Sequence, residues 1–120
     1  MAFLEKVLKK PAGFNMDDFL NNLDKETDES LYEDADAFVK PMVLKDDSDK
    51  ERAVSELKKG NFILLNITDL SKRNAIKLRD LVTDIKGVTE AIDGDIARIS
   101  QDHVLATPSK VKIVKRREPA

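Results

Sequence analysis

The chain has 120 residues, of which 37% are charged, 5% are aromatic and none is cysteine. This length allows one compact domain with some chain left over. The lack of cysteine excludes disulfides, thiolate metal sites and cysteine nucleophiles, and the single histidine, His103, excludes a site built from several imidazoles. No apolar run approaches the roughly 18–20 residues that span a bilayer. We expect a cytoplasmic, reduced setting and no cofactor.

Residues 1–10 predict a short amphipathic helix, because their apolar and charged side chains fall on opposite sides of a helical wheel. A helix this short is marginal in water and needs a surface to fold on. A basic segment with one apolar face suits a membrane interface with anionic headgroups. The predicted membrane-binding residues are Met1, Phe3, Leu4, Lys6, Val7, Leu8, Lys9 and Lys10. In the alternative interpretation, the apolar residues pack back on the domain.

Residues 11–37 predict a flexible linker, disordered or transiently helical. Nine acidic side chains lie in residues 15–36 against Lys25 alone. An acidic segment with few aromatic residues buries too little apolar surface to offset its ordering entropy. The first half of the linker also has apolar residues that would suit a short docking helix: Phe14, Met16, Phe19, Leu20 and Leu23.

The domain predicted over residues 38–115 begins with a strand at 38–44. Pro41 removes a backbone donor from that strand and so favours an edge position. Ser48 and Glu51 match the S-x-x-E capping box of a first helix, which Gly60 is expected to end.

Residues 62–67 (FILLNI) are almost continuously apolar, which is typical of a strand covered on both faces. We therefore place this strand at the centre of the sheet. Asp69 or Ser71 is predicted to cap a second helix that ends at Gly87.

Beyond Gly87 the pattern indicates short strands, with Asp93 and Gly94 forming a tight turn between antiparallel partners. The predicted strands are 88–92, 96–99, 104–107 and 111–114. The last five residues, 116–120, form a basic tail, since residues 110–120 carry a net charge of +4.

The order β-α-β-α followed by short strands predicts an α/β fold, a two-layer sandwich of a mixed sheet and two main helices. If the first two strands are parallel, their crossover should be right-handed. About 78 residues bury only a modest core. We therefore expect a second copy to cover an exposed face, because dimerisation is the usual symmetric solution.

Two segments resemble motifs of the SepF family, the cell-division proteins that tether the tubulin-like FtsZ to the membrane. Residues 91–99 (AIDGDIARI) are similar to the family's A-I-x-G-D-I-x-R-I segment, and residues 104–108 (VLATP) to its F-L-x-T-P segment. Asn66 and Ile67 resemble the family's V-N-L strand end. The similarity covers about residues 38–114, and the N-terminal residues look more like the archaeal branch than the bacterial one.

This resemblance implies a homodimer, possibly a higher oligomer, whose groove accepts the C-terminal tail of FtsZ. In the family, the basic residue after G-D-I-x and the aromatic residue of F-L-x-T-P border that groove. Here these positions are Arg98, which can hold a peptide carboxylate bidentately, and Val104, which departs from the aromatic. From the residues alone, a solvated strand position for Arg98 and a core position for Val104 are favoured.

The sequence thus predicts a non-enzymatic adaptor, in the cytoplasm at the inner face of the cell membrane and at the division site. Asp93 and Asp95 are too few ligands for calcium, and His103 lacks the partners of a general base. One alternative is a soluble α/β interaction dimer without a membrane role.

A second alternative is weak binding of nucleic acid by the basic C-terminal segment, because clustered cations can contact phosphates. The cations concerned are Lys110, Lys112, Lys115, Arg116 and Arg117. No stacking aromatic residues accompany them, so we expect no nucleic-acid partner.

Overall fold

The computed structural model describes residues 13–24 and 32–115, and the chain forms two compact units, Met1–Ala35 and Asp36–Ala120. The predicted membrane-binding helix (residues 1–10) and the basic tail (residues 116–120) lie outside the described residues. Within the described ranges, no helix has the length and apolar character needed to cross a bilayer.

The first unit contains a short helix, α1 (Met16–Asn21), followed by a 3-10 turn over Asn22–Asp24. The Asn15 side chain caps α1 by accepting the backbone N–H of Asp17 at 2.9 Å and that of Asp18 at 3.3 Å. The segment predicted as a linker therefore contains the short helix that its apolar residues suit. Those residues are all exposed, by 42% to 70%: Phe14, Met16, Phe19, Leu20 and Leu23.

The second unit is a mixed α/β sandwich with one four-stranded sheet. Its elements in chain order are β1 (Val39–Val43), α2 (Asp47–Lys58), β2 (Phe62–Asn66), α3 (Thr68–Arg73), α4 (Ala75–Ala91), β3 (Asp95–Ser100) and β4 (His103–Thr107). The strand order is β1-β2-β4-β3, in which β1 and β2 are parallel and the other pairs are antiparallel. The predicted α/β class and mixed sheet are confirmed.

Strand β1 lies at the edge of the sheet, as Pro41 predicted. Phe62 donates its backbone N–H to the Phe38 carbonyl, and Leu44 donates to the Asn66 carbonyl. In a parallel pair of strands, every second residue forms its backbone hydrogen bonds with the neighbouring strand. Since Phe38 and Leu44 bond to β2, the backbone groups of Val39, Pro41 and Val43 point away from β2 to the open edge. The missing N–H of Pro41 therefore costs no hydrogen bond to β2.

Strand β2 occupies an inner position, but only one of its faces is fully covered. Ile63 and Leu65 are completely buried against the helices, whereas Phe62 and Leu64 on the opposite face are half-buried. The prediction of a central strand is therefore correct, and the expected cover on the second face is incomplete in the single chain.

The core lies between the sheet and helices α2, α3 and α4. Side chains opposite one another on paired strands share a face, so Ile63 and Ala106, like Leu65 and Val104, point to the same side. The complete core cluster is Leu44, Ala53, Leu57, Ile63, Leu65, Ile67, Leu70, Leu81, Ile85, Val104 and Ala106.

Helix α2 begins earlier than the Ser48–Glu51 pattern predicts. Asp46 is the N-cap, and its side chain accepts the Asp49 backbone N–H at 3.1 Å. The Asp49 carboxylate in turn accepts the N–H of Asp46 at 3.3 Å and that of Lys45 at 2.9 Å. Two aspartates, Asp46 and Asp49, thus form the capping box in place of Ser48 and Glu51. Asp49 is buried at the start of the helix, where its carboxylate satisfies the backbone N–H groups of Lys45 and Asp46.

Helix α4 starts later and ends later than predicted. Asp69 and Ser71 belong to the separate helix α3, and Asn74 caps α4 by accepting the Lys77 N–H at 3.0 Å. The helix runs through Gly87 to Ala91, so the predicted strand at 88–92 is wrong. A glycine inside a helix costs about 1 kcal/mol, yet the helix continues past Gly87 and buries Thr89 two residues later.

Two further predictions about the C-terminal part are wrong. Asp93 and Gly94 do not join two strands but connect α4 to β3, and Asp93 adopts a left-handed backbone with φ of 62°. Residues 111–114 do not form a strand. Contacts to side chains fix them instead, because Ile113 donates its N–H to the Asp95 carboxylate at 2.9 Å.

Candidate functional site

The two motif segments contribute the consecutive strands of a single hairpin, and the first segment also includes the connection from α4. Strand β3 and strand β4 are antiparallel, with Asp95 opposite Thr107 and Arg98 opposite Val104. A bulge between Arg98 and Ser100 interrupts the pairing near the turn. The two motifs therefore belong to one hairpin, so the number of residues between them must fit the turn that joins β3 to β4.

The open end of the hairpin is closed by a contact between the G-D and T-P residues. A Cβ atom added to Gly94 would lie 2.2 Å from the Thr107 carbonyl oxygen and 3.0 Å from that of Pro108. Gly94 also donates its N–H to the Thr89 carbonyl at 2.7 Å, at the end of α4. Glycine is required here because the two backbones approach without room for a side chain.

Asp95 anchors the segment that follows the hairpin. Its carboxylate accepts the N–H groups of Ile96 and Ile113, each at 2.9 Å, and binds the Lys115 ammonium at 2.6 Å. The hydrogen bond from Lys115, together with that from Ile113, lowers the pKa of Asp95 to about 2. The aspartate of the motif thus has a structural role as a charged anchor.

The lysines of the C-terminal segment are largely engaged within the domain. Lys112 binds the Asp93 carboxylate at 2.8 Å and the Gly94 carbonyl at 2.9 Å, and it lowers the pKa of Asp93 through this hydrogen bond. The Thr107 hydroxyl donates to the Val111 carbonyl at 2.6 Å. Two of the cations considered for phosphate contact, Lys112 and Lys115, are therefore paired with aspartates.

Arg98 and Val104 leave the sheet on the same face but differ in accessibility. Val104 is 6% exposed and belongs to the core cluster. Arg98 is exposed, and its guanidinium donates to the Ser100 carbonyl at 3.0 Å and to the Gln101 carbonyl. Of the two predicted tail-binding residues, Arg98 alone presents its charged group at the surface, where the turn carbonyls orient it.

His103 lies at the start of β4, beside a depression of about 240 Å³ on the sheet face opposite the helices. Its Nδ1 atom is 3.0 Å from the Ser100 hydroxyl. Residues 13–24 and 32–115 contain no group of three or more His, Asp or Glu side chains suited to a metal ion.

The sheet face opposite the helices is apolar and incompletely covered, and we call it the open face. Val39 and Val43 on β1 are 62% and 41% exposed. Leu64 on β2 and Leu105 on β4 face each other in the register and are half-buried. The residues predict only that some face is exposed, because the position of that face depends on which side of the sheet receives the helices.

The fold and these contacts define a small mixed α/β sandwich with an open sheet face and a motif-bearing hairpin. Residues 39–113 match the family model described as Cell division protein SepF. Since this match covers more than half of the chain, the protein belongs to the SepF family.

Solved structures show the same fold. The SepF-like protein from Archaeoglobus fulgidus matches with a TM-score of 0.63 at 19% identity, over 69% of this chain and 99% of that chain. The SepF-like protein from Pyrococcus furiosus gives 0.61 at 27% identity, over 67% and 96%. The cell division protein SepF from Methanobrevibacter smithii, in complex with FtsZ-CTD, gives 0.58 at 15% identity, over 66% and 99%. No curated protein sequence matches significantly.

Three residues that fix the C-terminal segment against β3, Thr107, Lys112 and Lys115, were not predicted as functional from the sequence. The importance of Thr107 could have been inferred from the T-P pair of the F-L-x-T-P motif, to which it belongs. The lysines gave no such signal, because their partners Asp93 and Asp95 lie about 20 residues earlier and only the hairpin brings them together.

Proposed function

We propose that this protein is a non-enzymatic division adaptor that binds the C-terminal peptide of FtsZ and holds FtsZ filaments at the inner face of the membrane. The observation that carries the proposal is the family match over residues 39–113. The relative from M. smithii, which has the same fold, is in complex with FtsZ-CTD. A cytoplasmic position at the division site follows from this role.

Arg98 is the proposed contact for a carboxylate of the FtsZ peptide. Its guanidinium is exposed and oriented by two turn carbonyls, and a preoriented guanidinium loses less conformational freedom on binding a carboxylate. Val104, directly opposite in the register, supports the strand beneath this site through its core packing.

A homodimer through the open face is part of the proposal. Val39, Val43, Leu64 and Leu105 place a contiguous apolar surface on one side of the sheet. A second copy related by a twofold axis would cover it with the same surface. Membrane attachment is assigned to residues 1–10, and two such segments on one dimer would bind lipid far better than one, since the second insertion is intramolecular.

Reconstitution tests the proposal. Full-length protein, labelled vesicles with anionic lipid and FtsZ filaments are combined, and filament recruitment to vesicles is imaged. We expect recruitment by the wild type and its loss in the Arg98→Glu variant and in the chain lacking residues 1–10. In co-sedimentation, the Arg98→Glu variant should still bind vesicles and the truncated chain should still bind FtsZ. The proposal fails if the wild type leaves filaments free in solution.

A further inference from the structure

A groove of about 380 Å³ runs between the edge strand β1 and helix α2, on a different part of the domain from Arg98. Met42, which is half-buried, gives it an apolar wall. Four charged side chains line it: Lys40, Arg52, Glu56 and Lys59. We call this feature the β1–α2 groove.

The charges in this groove are unbalanced, since three cations face a single carboxylate. Glu56 pairs with Lys40 through Oε2, and its Oε1 lies 3.6 Å from the Lys59 ammonium. Arg52 pairs with Asp49, which does not line the groove. Because one carboxylate serves two ammonium groups, the groove has an excess of positive charge.

The cations are accessible, whereas the carboxylate is not. The side chains of Lys40, Arg52 and Lys59 are 44%, 63% and 67% exposed, and that of Glu56 is 13% exposed. A ligand entering the groove therefore meets ammonium and guanidinium groups before it meets Glu56. This arrangement favours an anionic ligand.

A second groove, of about 610 Å³ between α2 and α4, has a smaller excess of positive charge. It is lined by three lysines and by two exposed carboxylates, those of Glu51 and Asp84, and Lys50 is paired with Asp84 at 3.2 Å. The difference between the two grooves singles out the smaller one as an anion-binding surface.

The backbone of β1 adds a preference for an extended chain. Val39, Pro41 and Val43 direct their backbone groups to the free edge, where a bound peptide can pair with them. Pro41 has no N–H, so a bound peptide finds donors only at Val39 and Val43. The edge thus suits a short extended segment and discourages addition of a complete strand from another sheet.

We propose that the β1–α2 groove binds an extended acidic peptide segment of a partner protein. Carboxylates of the peptide contact Arg52 and Lys59, an apolar side chain contacts Met42, and the peptide backbone lies along the edge of β1. This site is separate from the Arg98 site for the FtsZ peptide, and it does not depend on that assignment.

Fluorescence anisotropy with the full-length chain tests this site. The probe is a labelled ten-residue peptide of alternating glutamate and leucine, and its counterpart has lysine in place of glutamate. We expect saturable binding of the acidic probe alone, weakened at least tenfold by the double variant Arg52→Glu, Lys59→Glu. The milder Arg52→Gln, Lys59→Gln variant should weaken binding several-fold, and circular dichroism confirms that both variants fold.

A matched control reverses two exposed charges outside the groove, Lys58→Glu and Lys86→Glu, and should stay within twofold of the wild type. An equal loss in the control would show general charge attraction and overturn the proposal, as would absence of saturable binding by the wild type at low salt. The FtsZ peptide is titrated in parallel. If Arg98→Glu abolishes binding of both peptides, there is one site and the separate groove site is wrong.

Discussion

Gly94 and Thr107 approach so closely that the Thr107 carbonyl oxygen lies 2.2 Å from where a Cβ on Gly94 would stand. Gly94 precedes β3 and Thr107 ends β4, so this contact closes the open end of the hairpin. The glycine of one motif and the threonine of the other are therefore parts of a single packing arrangement.

Replacing Gly94 with alanine should destabilise the domain by about 3 kcal/mol, at the upper end of the range for overpacking. The new methyl group meets backbone atoms of Thr107 and Pro108, which cannot move aside as a flexible side chain would. Urea denaturation followed by circular dichroism measures the loss. An unchanged midpoint would contradict the close approach.

Gly87→Ala is the matched control for this substitution. Gly87 lies inside helix α4, and a Cβ there would meet nothing within 4 Å. Alanine is the better helix former, so this variant should gain about 0.5–1 kcal/mol. If the free energy of unfolding falls in Gly94→Ala and rises in Gly87→Ala, the effect comes from the surroundings of each glycine.

The stability of the protein should fall as acid protonates Asp95. The folded-state pKa of Asp95 is lowered to about 2 by Lys115, Ile113 and Ile96, against about 3.9 in an unfolded chain. The contribution of this carboxylate is thus fully present above the unfolded value and is lost as the pH falls from about 4 through about 2.

Comparison with Asp95→Asn isolates this contribution. The variant lacks the charge at every pH, so its stability should be lower than that of the wild type at pH 6, and the two should converge toward pH 2. Urea midpoints recorded at half-unit pH intervals give the difference. Parallel profiles for the two proteins would show that Asp95 is not the responsible group.

The positions of β1 and β2 could be predicted because each depends on local chemistry. Pro41 lacks a donor and so belongs at an edge, and the apolar run at 62–67 belongs inside the sheet. Helix ends were harder, because Gly87 resembles a helix stop until the tertiary burial of Thr89 is known. Such burial is a long-range property that no local pattern contains.

The candidate site, like the fold, could be predicted from the sequence only in part. Motif spacing could indicate that residues 91–99 and 104–108 act together, since each segment contains part of a short strand. The residues alone favour a core position for Val104 and a solvated position for Arg98, and the structure agrees, but they could not show that both side chains leave the sheet on one face or that Arg98 reaches back to the turn. The register of the hairpin and the side on which the helices pack decide both facts.

The corrected cap of helix α2 can be tested by two substitutions. Asp46→Ala removes the acceptor for the Asp49 N–H and should cost about 1 kcal/mol. Ser48→Ala alters an exposed residue inside the first turn and should stay within about 0.5 kcal/mol. Thermal unfolding ranks the two variants, and the reverse order would restore Ser48 as the cap.

The proposed dimer predicts that Val39→Lys yields a monomer. Val39 is 62% exposed on the open face, so lysine should not disturb the fold of the single chain but would place charges against each other across a twofold interface. Ile76→Lys is the control, because Ile76 is 64% exposed on α4, outside that face. Analytical ultracentrifugation of both variants at one concentration should find that Val39→Lys is a monomer and Ile76→Lys is a dimer. If both variants remain dimeric, the open face is not the dimer interface.

Arg98 and Val104 should respond in opposite ways to substitution, although they are neighbours on paired strands. Val104→Ala removes buried methyl groups and should cost about 1–3 kcal/mol of stability. Its effect on the affinity for the FtsZ peptide should be smaller than that of Arg98→Glu. Arg98→Glu loses only exposed hydrogen bonds to turn carbonyls, so its stability should change by less than about 1 kcal/mol.

The affinity of Arg98→Glu for the FtsZ peptide should nevertheless fall at least tenfold, which corresponds to about 1.4 kcal/mol. Calorimetric titration gives the affinities and urea denaturation gives the stabilities of the same preparations. If Val104→Ala weakens binding as strongly as Arg98→Glu while both remain folded, the affinity depends on the packing of the hairpin and not on a direct contact with the Arg98 charge. The exposed guanidinium would then be a structural cap of the turn, because its two carbonyl partners would account for its position without a ligand.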